Sequence, residues 1–423
     1  MIRSLRPLAH REFRVLTSAT LISVLGDGLM RVALPLQVLA ISGDDPLAIG
    51  IVGFTWALGH VVSLPVGGLL SDRRERRTIM IGSDLVRAVA IGTVGALGAL
   101  GDLELWHIVT LGGLFGFANG FFNPAARSLV PDLLPYDQLP RGNALLGFAR
   151  PLQLWIVGPL AAGALVALAG PGAALLVDAA TFVGSALLLS RLPRRGSAAG
   201  SAALQRPLED LREGVRFVRA NRWTAVWFLT AGFSTLAFHG PFDVLLPTML
   251  KVDLQLSEAQ AGWWIAAIFA SGGAGALMVS TFVGQHDLPR RFMTVLYCVE
   301  AVTLFGMAAF AVVSGMWQAL LIGFVVFGAT VFSEIIADTT LQREVPRALL
   351  GRVISLQWFV TIGLAPVSFA LAGPLGRLYG ARPVLATVGL VAGTIVVLVM
   401  FVPGARTPQV AARRRHRSDL VSR

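Results

Sequence analysis

The sequence predicts an all-α membrane protein with twelve transmembrane helices in two pseudo-symmetric six-helix bundles. Three observations predict it. Of 423 residues, 55% are hydrophobic and 14% charged, with a mean hydropathy of +0.71, too apolar for a surface that faces water on every side. Apolar runs near the ~20 residues that cross a bilayer recur from end to end, and lipid tolerates only structures that satisfy their own backbone groups. The two halves also resemble each other in register. Pro35 aligns with Pro247 and Gly50 with Gly262 at one common offset. In the fourth span of each half, "FANGFFNPAARSLVP" (117–131) aligns with "FSEIIADTTLQREVP" (332–346), which pairs Asn119 with Glu334 and Asn123 with Asp338. Related halves with a site between them are the architecture of alternating-access transporters.

The spans are expected near 15–40, 47–70, 78–100, 105–126, 144–168, 172–191, 223–250, 260–284, 292–312, 317–340, 353–375 and 383–402. They divide the chain into an N-terminal bundle (1–191), a linker (192–222), a C-terminal bundle (223–403) and a basic tail (404–423). "MIRSLRPLAHREFR" precedes a full-length span without a small-residue cleavage site, so no cleavable signal peptide is expected. The linker starts rich in Gly, Ser and Ala. From Pro207 it takes helical periodicity, with Leu208, Leu211, Val215 and Val218 on one face, as in a helix lying on a membrane surface.

The net charge of +11 and isoelectric point near 11.3 reflect topology rather than nucleic-acid binding. With this span order, Lys251, Arg377 and Arg382 alone fall on one side of the membrane, and Arg31, Arg87 and Arg150 lie within spans; every other basic residue falls on the opposite side. The positive-inside rule places that opposite side, with both termini, in the cytoplasm of a plasma (inner) membrane. Its arginines, including "RRRHR" (413–417), attract anionic lipids. The single cysteine, Cys298, forms no intramolecular disulfide or multi-thiolate metal site, and the six scattered histidines show no metalloprotease spacing. No phosphate-binding G-x-x-x-x-G-K-[ST] loop occurs. Neither an enzyme nor a cofactor is expected.

Between the second and third spans, "GLLSDRRERR" (68–77) resembles the signature loop of the major facilitator superfamily at Gly68, Asp72, Arg73, Arg76 and Arg77, with Glu75 where the family has glycine. In that family the loop latches the cytoplasmic side, which implies a gate role for these five residues and for Asp84, grouped here with Arg87 near the cytoplasmic end. "GPLAAG" in the fifth span matches the antiporter helix-five element at Gly158, Pro159 and Gly163. Longer phrases, "SDLVRA" (83–88), "LVDAATFVGSALLL" (176–189) and "LLGRVISL" (349–356) among them, are similar to the drug-proton antiporter branch that includes macrolide efflux proteins and the enterobactin exporter. The arginine that many antiporters carry in the fourth span is absent.

Charges at bilayer depth cost at least ~2.5–3.5 kcal/mol on insertion scales and mark function by default. Asp27 and Arg31 share a face of the first helix at i, i+4 spacing. Desolvation and a neighbouring cation pull such a carboxylate in opposite directions, which makes it switchable. Asp27 is therefore the first candidate for proton coupling, a permanent structural ion pair with Arg31 being the alternative. The repeat-equivalent pair is His239 and Asp243, around Pro241, which should distort its helix. Glu334 and Asp338 form a third set. Glu300 and Asp178 are lone acids expected to serve helix packing, and His60 is expected to be a packed side chain.

The acids, set among abundant aromatic side chains, suggest an apolar cavity for an amphipathic or weakly cationic small molecule. The function expected is secondary active transport, a monomeric proton-coupled exporter of drugs or amphipathic secondary metabolites. The alternatives are a narrow siderophore or lipid-like metabolite exporter, or a transporter-like sensor or scaffold.

Overall fold

The computed structural model describes residues 3–73, 75–194, 207–283 and 291–408. The side chains of 3–5, 65–74, 207–211 and 347–348 lie outside the described residues, and with them Gly68, Asp72, Arg73, Leu208 and Leu211; so do 195–206, His286 and the "RRRHR" tail.

All regular structure among the described residues is helical. A short 3-10 turn leads into α1 (Arg11–Ser42), followed by α2 (Pro46–Arg73), α3 (Arg76–Leu100), α4 (Leu105–Leu133), α5 (Leu139–Leu152) and α6 (Gly158–Leu189). After the linker helix α7 (Pro207–Ala220) come α8 (Arg222–Gly240), the three-residue α9 (Leu246–Thr248), α10 (Glu258–Val283), α11 (Phe292–Phe310), α12 (Met316–Glu344), α13 (Arg347–Tyr379) and α14 (Ala381–Val399).

Ten described stretches are long and apolar enough to cross a membrane. One of them, Tyr136–Leu189, makes two passes. Gly28 of α1 packs on Leu154 and Gly158, while its near neighbour Gly26 packs on Asp178 and Phe182. A straight helix at ~1.5 Å per residue would hold those two contacts about 30 Å apart. The chain instead folds back at Gly170, whose φ of 80° a side chain would oppose. The remaining pass, seventh in chain order, is the more polar run 222–253, where Pro241 and Pro247 interrupt α-helical bonding and π-helical turns take over at Pro241–Leu245 and Met249–Asp253. The expected distortion at Pro241 is present.

Within the first six passes α1, α3 and α6 pack together and α2 packs on α4; in the second six, α10 packs on α12 and α11 on both α12 and α14. Lipid offers no hydrophobic drive between helices, so close approach of small residues supplies the packing. The bundles meet along two seams, α2 against α13 and α6 against α10. Gly50 lies against Gly373 at the first seam, and Gly163 against Gly262 and Ala266 at the second.

We call the end carrying residues 43–45 and 254–257 distal, and the end carrying residues 3–10 and 400–408 proximal. Helix α7 is neither free nor merely surface-bound: Glu213 pairs with Arg352 of α13, and Phe217 and Val218 pack on the core of the second bundle.

Candidate functional site

Asp27 lies midway along α1, one turn before Arg31. Its ion-pair partner is Arg87 of α3, whose Nη1 donates to Asp27 Oδ1 at 3.3 Å. Arg31 is not that partner. Its guanidinium lies 4.2 Å from the centre of the Trp155 ring and 5.8 Å from that of Phe269. Geometry explains the exchange: Gly28 lets the Gln153–Val157 π turn approach α1 closely, and Trp155 on that turn takes the cation.

Arg87 is fully buried. The same Nη1 donates to Asn119 Oδ1 at 3.3 Å, and Nη2 donates to Ser23 Oγ at 2.9 Å and to Asp84 Oδ1. Phe182 and Phe122 lie 4.3 and 4.7 Å from its guanidinium carbon. Asp84 is likewise 0% exposed and accepts from Ser23. Asp84, expected at the gate, lies with Arg87 in the dry interior of the first bundle. The sequence signal was "SDLVRA", an i, i+3 acid and arginine that can bond on one helix face.

Two described signature-loop residues bind within their own bundle. Arg76 pairs with Asp132 of α4 at 2.7 Å and donates to the Ser128 carbonyl. Arg77 donates to the carbonyls of Leu189 and Ser190, closing the end of α6. Neither contacts Asp84. In the helix-five element, Gly158 meets Gly28 of the same bundle and Gly163 meets α10 of the other, so this segment joins α1 to the second bundle.

Across the bundle interface, Arg31 is within electrostatic reach of Asp243 as well as Asp27, and Asp243 of His239. The two repeat-related pairs thus form one line of charge running from Arg87 through Asp27, Arg31 and Asp243 to His239. Arg150, hydrogen-bonded to Asn123, reaches Asp27 electrostatically. Glu334 and Asp338 are both exposed on α12 and near enough to interact. Asn119 and Asn123, their counterparts in α4, carry arginines instead. His60 stacks on Trp56 at 5.9 Å, as expected of a packed side chain.

Beside this line an aromatic cluster packs at the interface. Trp155 packs on Phe269 and Phe327, and Phe242 on Phe238, Phe269, Phe310 and Phe327. Ion pairs close the distal rim. Lys251, the sole lysine, holds Asp44 at 2.7 Å across the bundles, Arg377 holds Asp45 at 3.6 Å, and Arg382 holds Asp253 at 3.7 Å. The three basic residues that break the positive-inside pattern are thus the three that bind acids there. The Asp27 side chain is 21% exposed. No group of three or more metal-ligating side chains occurs among the described residues.

The sequence profile described as the Major Facilitator Superfamily matches residues 16–366. The curated relatives include the enterobactin exporter EntS of Escherichia coli O1:K1, 28% identical over 385 residues, covering 87% of this chain and 86% of that protein. EntS of Escherichia coli O127:H6 is 29% identical over 376 residues at the same coverage. Among solved structures, a mutant of the nucleoside transporter NupG superposes with a TM-score of 0.76 at 15% identity, covering 92% of this chain and 99% of that one. A bacterial homologue of the iron transporter ferroportin, in an inward-facing state, superposes with a TM-score of 0.68 at 18% identity, covering 92% and 99%. These structural likenesses concern the fold.

Proposed function

Since this chain belongs to the major facilitator superfamily, a family of transporters rather than enzymes, we propose that it is a proton-coupled exporter of a bulky amphipathic solute, working by alternating access. One observation carries the reading. Asp27 stands at the boundary between a dry interior, where it holds the fully buried Arg87, and the bundle interface, where it remains 21% exposed. A carboxylate so placed can take a proton from the cavity and release Arg87, or lose it and recapture Arg87, and so tie proton occupancy to packing in the first bundle.

By the positive-inside rule, the arginine-rich proximal end and both termini face the cytoplasm of a bacterial inner membrane in this reading. Rigid bodies 1–191 and 223–403 then rock about α1, α6, α8 and α10, with 192–222 joining them and 404–423 on the cytoplasmic lipid surface. Distally the closed seams and ion pairs suit a state that receives solute from the cytoplasmic side. Asp27, Arg31, His239, Asp243, Glu334 and Asp338 line the route, Gly68, Asp72, Arg73, Arg76 and Arg77 act at the cytoplasmic gate, and Gly158, Pro159 and Gly163 form the hinge between bundles. The chain works as a monomer.

A second reading of the solute is favoured by one finding. Arg31 makes no ion pair within 4 Å among the described residues and presents its guanidinium over Trp155. That suits an oxygen-rich aromatic metabolite, as a siderophore is, better than a simple lipophilic cation. The relatives named as enterobactin exporters support narrow metabolite export over multidrug resistance.

The test is accumulation of a panel of lipophilic cations, antibiotics and catechol-bearing metabolites in sensitive cells, with and without a protonophore. Exclusion that needs both the protein and the proton gradient supports export. Exclusion confined to the metabolites supports the second reading. Exclusion that survives the protonophore, at equal expression, contradicts proton coupling.

A further inference from the structure

Behind Asp27, away from the interface, lies an acid that the coupling scheme above does not use. Asp178 of α6 is 0% exposed, and neither carboxyl oxygen has a hydrogen-bond partner. Its carboxyl packs directly on the backbone of α1: a side chain at Gly26 would overlap Asp178 Oδ1 and Thr181 Oγ1. Asp178 is within electrostatic reach of Asp27 and Arg87.

The charged groups that face it can be named by element. Helix α1 brings Asp27, with Arg31 a turn further on; α3 brings Arg87, which also holds Asp84; Arg150 of α5 interacts with Asp27 from the interface side. Arg87 commits Nη1 to Asp27 and Asn119 and Nη2 to Asp84 and Ser23, while its Nε is buried without a hydrogen-bond partner. Three carboxyls therefore surround one buried cation whose donating groups are directed at only two of them. An ionised carboxylate left without a partner inside a membrane protein costs several kcal/mol, and a protonated carboxyl escapes most of that cost.

We propose that Asp178 is a second proton-holding group of the transport cycle, a neutral carboxylic acid in this closed-distal state that exchanges its proton with the interface through Asp27. The step balances. The Asp178 O–H bond breaks and an Asp27 O–H bond forms, while the Arg87 Nη1 hydrogen bond leaves Asp27 and is remade to the new Asp178 carboxylate. Net charge in the bundle is unchanged, and Arg87 moves without leaving its aromatic faces. Gly26 keeps the space between the two acids free of a side chain.

The proposal rests on the reading of Asp27 as the coupling carboxylate, yet its test needs neither substrate nor transport. Purified full-length protein in lipid nanodiscs at pH 7.5 is examined by infrared spectroscopy for the C=O stretch of protonated carboxyls. The expected result is a band lost in Asp178→Asn, a variant that keeps the shape of the neutral acid and so should fold. Carbodiimide labelling of wild-type protein, which modifies protonated carboxyls in apolar surroundings, should mark the peptide carrying Asp178 and provides a readout without any variant. The relay is read from the deuterium shift of the band after transfer to heavy water, which should be at least ten-fold slower in Asp27→Asn. A band unchanged in Asp178→Asn together with an unlabelled wild-type peptide overturns the proton-holding role. An exchange rate unaffected by Asp27→Asn overturns the relay. Failure of proton-driven export would leave both measurements standing on their own.

Discussion

Arg87 and Asp27 are 3.3 Å apart, on α3 and α1 of one bundle, and Arg87 links Asp27 to the fully buried Asp84. Around this contact the remaining charges divide in two. Asp84, Asp178 and Ser23 lie on the dry side, while Arg31, Asp243 and His239 continue across the interface. The bond is therefore the connection between the packing of the first bundle and the cavity between bundles.

Removing the cation should strand its partners. Arg87→Met leaves Asp84 buried without a counter-charge, a change of about 3–5 kcal/mol for a broken buried pair. Purified Arg87→Met should melt well below wild type. The double variant Arg87→Met with Asp84→Asn should recover part of the loss, because the two side chains interact directly. Strictly additive losses would mean that Asp84 does not depend on Arg87.

Glycines at the helix crossings supply a packing test with an internal control. At Gly158 an added Cβ would lie 2.7 Å from Gly28 Cα, whereas at Gly147 it meets nothing within 4 Å. Gly158→Val should cost about 1–3 kcal/mol by overpacking. Gly147→Ala, in the interior of α5, should be neutral or stabilise by up to about 1 kcal/mol through helix propensity. Thermal unfolding in detergent separates the two.

The distal rim should yield to charge reversal. Lys251→Glu places like charges at Asp44 and Glu258, and rim pairs of this kind are worth only ~0.2–1 kcal/mol, so the opening equilibrium should shift about 1.4- to five-fold. A cysteine at Leu47→Cys, in a Cys298→Ser background, should react that much faster with an impermeant maleimide. Adding Asp44→Lys should restore the original rate. If Lys251→Glu leaves the rate unchanged, the glycine seam alone holds this end closed.

Much of this architecture was legible in the sequence because hydropathy, Gly and Pro placement and arginine asymmetry are local signals. The distorted seventh pass followed from Pro241. The fold-back at Gly170 matches the break between the fifth and sixth spans. The site was legible as a set of residues but not as a set of partners. Asp27 and Arg31 satisfy helical spacing, yet a third helix supplies Arg87 and a π turn supplies Trp155. Spacing along one helix cannot show either contact. The burial of Asp84 was illegible for the same reason, since it depends on how α3 packs on its neighbours. Lys251, Arg377 and Arg382 looked like exceptions to a topological rule, and the structure gives each an acid.

The Arg31–Trp155 stack should set affinity for solute rather than stability. Once a transported compound is in hand, Trp155→Leu should weaken its apparent affinity by about two- to thirty-fold, the range of a cation–π contact of ~0.5–2 kcal/mol. Arg31→Lys keeps the charge and loses the planar face, so its effect should fall between wild type and Arg31→Leu. An apparent KM unchanged in Trp155→Leu would assign the stack to helix packing.

The central claim is that Asp27 exchanges protons for solute, and inside-out membrane vesicles test it most directly. With the interior acidified by respiration, a compound excluded in the cellular screen is added while interior pH is followed by a fluorescent dye. The account predicts rapid proton release from vesicles carrying the wild-type chain and none beyond control vesicles from those carrying Asp27→Asn at equal abundance. Equal proton release by Asp27→Asn, or uptake of the compound by wild-type vesicles without proton release, would contradict it.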